Sequence, residues 1–190
     1  MTYKNLIANV NTVVIKLWLV ISLSLFSEAT LANEEDNQAK LTAAFIYQIT
    51  KFVKWPSIVQ NVETQTISLC LLGDFKSSTL RHFQLLENKV SQGKKIKLNV
   101  ITSSIAKREN IRCEIFFAQQ SEWQNYTANE LEALSKQSLL IGSTREFLQN
   151  GGMMSLVLVK NKMKIFFNAD VIAKTTIKIE SRLKALATML

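Results

Sequence analysis

The sequence predicts an α/β fold: a single-domain three-layer sandwich with a mostly parallel sheet, helices on both faces and a C-terminal antiparallel hairpin at the edge. Three observations carry this. Short runs rich in apolar residues, at 67–72, 114–118 and 139–142, are separated by helix-patterned segments, as parallel strands joined by helical crossovers require. Residues 153–159 and 162–167 are two further apolar runs flanking Lys160-Asn161, the arrangement of a hairpin. From Asp36 to Trp55, Leu41, Ala44, Phe45, Ile49, Phe52 and Val53 recur every three or four positions, the spacing of an amphipathic helix.

In that first helix Asp36 is the expected N-cap. Pro56, the only proline, is expected to stop it, because a proline ring disfavours helical geometry at the preceding Trp55. The run 67–72 then reads as a strand leaving through Gly73-Asp74, followed by a helix at 77–86. A strand at 95–101 leads into a short segment at 104–109. The strand 114–118 precedes a helix near 128–136, and 139–142 is the next strand. Gly151-Gly152 is expected to supply positive φ for the turn into the hairpin. Lys160, Lys162 and Lys164 discourage edge-to-edge pairing. Asn168 is the expected cap of a helical tail whose residues Ile179, Leu183, Leu186 and Leu190 share one face. The chain shows no internal repeat and no low-complexity tract.

Lys4 and Lys16 precede an uncharged apolar run from Leu17 to Phe26, and small residues follow at Thr30 and Ala32. That pattern predicts a signal peptide over 1–32, cleaved near Ala32, with cleavage after Ala29 as the alternative. A ten-residue apolar core is well short of the roughly 20 residues of a spanning helix, so no stable membrane insertion is expected after cleavage. Removing 32 of 190 residues leaves 158, one domain over 33–190. The removed segment holds two lysines and one glutamate, which takes the net charge from +8 to +7. An exported protein rarely meets nucleic acid, so none is expected as a partner; the basic balance reads as a solvated surface. Cys70 and Cys113 are the only cysteines, and an oxidising compartment favours one bridge between them, two buried thiols being the alternative.

Chemistry-bearing constellations are sparse. His82 is the sole histidine and two cysteines supply too few thiolates, so no metal site and no cofactor are expected. A serine triad would need His82 beside a serine and a carboxylate such as Asp74; a surface position on the helix at 77–86 is the expectation instead. The sequence has no Cys-x-x-Cys pair, dinucleotide fingerprint or phosphate loop. In open parallel sheets ligands sit beyond the carboxyl ends of the strands, which points to Gly73, Asp74, Phe75, Gly142 and Ser143, where helix N-termini would offer N–H groups to an anion. The alternative is that Gly73 and Gly142 only permit tight strand exits. Trp55 is expected to pack on the core rather than act as an exposed anchor. On the tail, Arg182 is the expected partner contact and Ser181 a structural residue.

In order along the chain stand a leader, a helix ending in Lys54-Trp55-Pro56, Cys70-Leu-Leu-Gly73-Asp74, Cys113 heading an apolar strand, and Gly151-Gly-Met153 before the hairpin. Ile165-Phe-Phe-Asn168, Ser181-Arg-Leu183-Lys and Leu186-Ala187 follow. This ordered set resembles the YfiR-like family over nearly all of 38–190. The resemblance implies a non-enzymatic periplasmic protein, bridged from Cys70 to Cys113. Such a protein represses an inner-membrane diguanylate cyclase through its periplasmic part, lowering cyclic di-GMP and biofilm formation. A sensor kinase is the second candidate partner, a homodimer is a further expectation, and a periplasmic small-ligand-binding protein is the alternative function. Two departures stand out. The chain lacks cysteines for the family's second bridge, and Ser143 follows Gly142 where the family carries an acidic residue.

Overall fold

The computed structural model describes residues 27–56 and 66–190, with side chains from Glu34 onward. The apolar leader run and the polar linker after Pro56 lie outside the described residues. Contacts divide the chain at Gln38, and the sheet belongs to the body from Ala39 to Leu190.

Helix α1 spans Ser27–Ile49, so Asp36 lies inside it rather than at its cap. Nor does α1 persist to Trp55. It tightens into a 3-10 turn at Thr50–Phe52 and passes into strand β1, Val53–Lys54. The cause is tertiary, not Pro56: Gln92 Nε2 donates to the carbonyls of Thr50 (2.5 Å) and Val53 (2.8 Å), and Thr50 Oγ1 donates to Ser91 Oγ at 2.8 Å. Carbonyls captured this way are lost to the helical ladder. Trp55 follows, 6% exposed, with its indole N–H donating to the carbonyl of Glu114 at 2.8 Å.

The remaining elements are β2 (Thr66–Leu72), α2 (Ser77–Gln84), β3 (Val90–Ser91), β4 (Lys94–Ile101), α3 (Ser103–Arg108), β5 (Ile115–Ala118), α4 (Gln120–Trp123), α5 (Ala128–Ser135), β6 (Leu139–Gly142), α6 (Glu146–Gln149), β7 (Met154–Val159) and β8 (Lys162–Phe167). The tail adds α7 (Ala169–Lys174), β9 (Lys178–Ile179), α8 (Ser181–Ala185) and β10 (Ala187–Met189). Eight strands form one sheet in the order β10-β8-β7-β6-β5-β2-β4-β3, and β1 pairs separately with β9. Strands β4, β2, β5, β6 and β7 run parallel. The fold is thus α/β with a mostly parallel sheet.

Side-chain alternation defines the layers. Leu69, Ile115 and Leu139 are in register, as are Cys70, Phe116 and Leu140 on the opposite face. On the first face Phe117 stacks on Phe83 of α2 at 5.3 Å. On the second, Phe116 lies with Ala106 of α3 and Leu134 of α5 around one surface pocket. Helices therefore cover both faces, as a sheet apolar on both sides demands. The crossover β2 to β4 leads one way along the sheet and β4 to β5 back the other way, so right-handed connections place α2 and α3 on opposite sides.

Lys160 and Asn161 have φ of 49° and 59°, the left-handed pair of a two-residue hairpin turn. Strand β10 lies outside this hairpin and pairs in parallel with β8, Ala187 opposite Ile165, so it forms the outermost strand. The expected single helical tail is replaced by four short elements. Thr175 Oγ1 donates to the carbonyl of Ser135 at 2.6 Å, Thr176 Oγ1 donates to that of Lys136, and Ile179 pairs with Val53. Leu183 is buried at 3% exposure while Leu186 is 74% exposed, so the proposed common apolar face does not exist.

Cys70 and Cys113 form a disulfide with Cα atoms 6.1 Å apart, both side chains buried. It ties β2 to the segment entering β5 across 43 positions. The loop-entropy model gives such a bridge about 4 kcal/mol. The Cys70→Ser/Cys113→Ser variant is expected to lose stability of that order in urea unfolding, and alkylation of the unreduced native chain to add no label; two labels on the intact mass would contradict the bridge.

Candidate functional site

Sheet order reverses between β2 and β5, because the chain leaves β2 toward β4 and leaves β5 toward β6. Ligands of open parallel sheets sit beyond such a point. Here the crevice is filled from within. Gly73 has φ of +106°, and a Cβ added to it would lie 2.5 Å from Cγ of Glu122. Only glycine suits both the backbone and the space. Glu122, on α4, accepts a hydrogen bond at 2.6 Å from Ser103 Oγ at the start of α3. A carboxylate lying over the strand exit repels anions, and Ser103 is already engaged. That arrangement weighs against an anion beside Gly73; Gly142 and Ser143 lie at a different strand exit, which Glu122 does not cover.

Around this pair lies a polar cluster. Tyr126 has its pKa raised, first by burial, opposed by a hydrogen bond with Ser103 and reinforced by the charges of Glu130 and Glu122. Lys107 Nζ sits 4.6 Å from the Tyr126 ring centre, 2.8 Å from Glu130 Oε1, and donates to the Asn125 carbonyl at 2.6 Å. Glu130 completes a capping box on α5: its carboxylate accepts from the Thr127 N–H at 2.7 Å, and Thr127 Oγ1 accepts from the Glu130 N–H at 3.3 Å. Lys107 first, then the Thr127 backbone and hydroxyl, lower the Glu130 pKa from 4.5 to about 2.

One strand further along, Gly142 and Gly152 face a single ring. A Cβ at either would lie 2.4 Å from Phe147. Gly151, with φ of +92°, supplies the left-handed residue that ends α6. Gly152 has no positive φ; it is glycine because the Phe147 ring occupies the space. Trp123 stacks on that ring at 4.7 Å and donates its indole N–H to the Ile141 carbonyl at 3.1 Å. Beside this stack lies a cavity of 600 Å³ between α4, α5 and α6, which Gly151 also lines.

The residues expected at one site are dispersed. Asp74 is exposed; Phe75 is half-buried, 6.1 Å from Phe83 and from Phe117. Ser143 follows β6, and β5 separates it from β2. Arg182 is exposed on α8, beside Ser181, in the segment leading to β10. Asn168 caps α7 by accepting from the Val171 N–H at 3.1 Å and anchors to the Leu148 carbonyl at 2.9 Å. Ser103, Glu122, Tyr126 and the amide-bearing cavity escaped the sequence reading. A glutamate and a serine 19 positions apart carry no spacing signal. Among the described residues no cluster of three or more His, Cys, Asp or Glu is placed to hold a metal.

The model of the YfiR/HmsC-like family matches residues 39–188. The chain belongs to that family. The match covers the sheet up to Thr188 in β10, the bridged cysteines and both glycine sites. Among curated proteins none matches. Among solved structures the chain is similar to GanP, a glucose-galactose binding protein from Geobacillus stearothermophilus, at 13% identity and a TM-score of 0.38, over 65% of this chain and 47% of that one.

Two outcomes follow from this geometry. Gly152→Ala is expected to cost about 1–3 kcal/mol in urea unfolding, and less in a Phe147→Leu background; an equal cost in both would reject the close approach as the cause. A folded pKa below the unfolded one means that the Glu130 contribution is complete above pH 4.5 and lost as pH falls toward about 2. Glu130→Gln should therefore be less stable than wild type at neutral pH, with the difference in urea midpoint shrinking across that window. A constant difference down to pH 2 would contradict it.

Proposed function

We propose that this protein is an exported regulator whose domain, residues 33–190, acts in the periplasm after removal of a leader at 1–32. It binds the periplasmic part of an inner-membrane signalling protein, a diguanylate cyclase before a sensor kinase, and represses it, which limits cyclic di-GMP and biofilm formation. Membership of the YfiR/HmsC-like family over residues 39–188 carries this reading. The apolar leader run with its lysines and small residues supports export.

Binding, not bond-making, transmits the signal. A repressor lowers cyclase output by holding one conformation of its partner, and the effect is bounded by its differential affinity for the two states. Several positions at the surface suit such a contact. Arg182 is exposed beside the buried Leu183, and arginine is enriched where interfaces carry binding energy. The exposed Asp74 and the half-buried Phe75 and Ser143 lie just beyond the carboxyl ends of their strands and complete the set of candidate contacts. The cavity beside Gly151 favours a second role in ligand sensing.

Deletion of the gene is expected to raise cellular cyclic di-GMP, and a second deletion removing the partner cyclase to restore the original level. Unchanged cyclic di-GMP in the single deletion would overturn the proposal. Arg182→Ala, expressed in place of the wild type, should raise the nucleotide at least partway while leaving the thermal midpoint of the purified protein unchanged.

A further inference from the structure

The cavity between α4, α5 and α6 is built from uncharged groups. Its volume is 600 Å³, inside the range of about 300–1,000 Å³ typical of small-ligand sites. Four primary amides line it: Gln120, Gln124, Gln149 and Asn150. No Asp, Glu, Lys or Arg does so among the described residues, in a chain where 20% of residues are charged. The partners are thus chosen for hydrogen bonding without net charge.

An amide offers two donors and one acceptor oxygen at the same end of a side chain. Vicinal hydroxyls, each at once donor and acceptor, match that pattern. A phosphate or carboxylate would call for cations or N–H groups alone, and an ammonium for carboxylates. Gln120 is held ready: its Oε1 accepts from Thr144 Oγ1 at 2.8 Å, which orients its NH₂ as the group left to donate. Tyr126 also lines the cavity and adds no charge, a phenol being neutral at ordinary pH.

The floor is rigid. Trp123 and Phe147 are 3% and 1% exposed and stacked, with Trp123 bound to the Ile141 carbonyl and Phe147 seated on two glycines. Leu131, 1% exposed, backs the same floor, and the apolar surface that faces the cavity comes from the half-buried Tyr126 ring and the exposed Ala128. Preorganised walls lower the ordering cost of binding, and the Tyr126 ring and Ala128 beside a rim of amides suit a ligand with a hydrocarbon face and hydroxyl edges. A sugar ring has that anatomy.

We propose that this cavity is a binding site for a neutral saccharide of one or two rings. It neither requires nor excludes the repressor role, and the two are tested separately. The test follows side-chain amide and Gly151 resonances of the labelled, disulfide-intact protein during titration with maltose and with diacetylchitobiose. Glucose 6-phosphate and glucosamine serve as the charged counterparts. Saturable shifts with a neutral disaccharide are expected, weakened about fivefold in Gln124→Ala by the loss of one hydrogen bond. Filling the cavity with Ala128→Trp should abolish them. Both substitutions fall on exposed side chains, and an unchanged amide spectrum elsewhere verifies the fold. The proposal is overturned if neither disaccharide gives a saturable shift up to about 20 mM, if a charged counterpart binds as tightly, or if the shifts persist in Ala128→Trp.

Discussion

β5 and β6 are buried on both faces along their whole length, and much of the molecule answers to that. A strand without a solvent face cannot alternate polar and apolar residues, so it needs an apolar layer above and below. Phe117 meets Phe83 on one side, and Phe116 meets the α3 and α5 residues on the other. Polar groups are driven to the strand ends. There they settle with internal partners: the Trp55 indole and the Leu139 N–H share the Glu114 carbonyl, and the Glu114 carboxylate accepts from the Ser68 N–H at 2.8 Å. Glu114, 8% exposed, is tolerable there because those contacts replace the water it loses.

The same central strands were the most legible part of the sequence. Runs such as Leu139-Leu-Ile-Gly142 have one reading, because four consecutive buried positions in a short segment fit a central parallel strand. Lys160-Asn161 was equally plain, since the turn chemistry is local. Where the expectation failed, a distant partner decided. Residues 50–55 continue a helical pattern, yet Gln92 and Ile179, far along the chain, draw them into a turn and a strand. The tail carries apolar residues at helical spacing, but Thr175 and Thr176 bond to carbonyls at the end of α5 and break it. β-Branched threonines give up little helix stability in exchange.

Glycines show the same limit at the level of single residues. The Gly151-Gly152 pair reads as one turn signal. It serves two purposes: Gly151 supplies a positive φ, while Gly152, with Gly142, makes room for Phe147. No sequence rule separates these, because steric need arises only once a ring from another element is in place. The family's ordered motifs were therefore a better guide to the fold than to what each motif does.

Internal satisfaction of polar groups also decides where recognition can occur. At the switch point Glu122 and Ser103 bind each other over Gly73, and a ligand there would have to displace a charge-assisted hydrogen bond of 2.6 Å. One strand along, Phe147 fills the space at the exits of β6 and α6 and leaves amides, not charges, facing the adjacent cavity. The strand exit beside Gly73 is thus occupied by the chain's own side chains, and the cavity one strand along presents amides in place of charges. A small neutral ligand under α6 would act on the loop that carries Gly151 into the hairpin, and the hairpin pairs with β10 at the outer edge of the sheet. A continuous run of packed elements therefore joins the cavity to the surface where the tail, with Arg182, meets solvent.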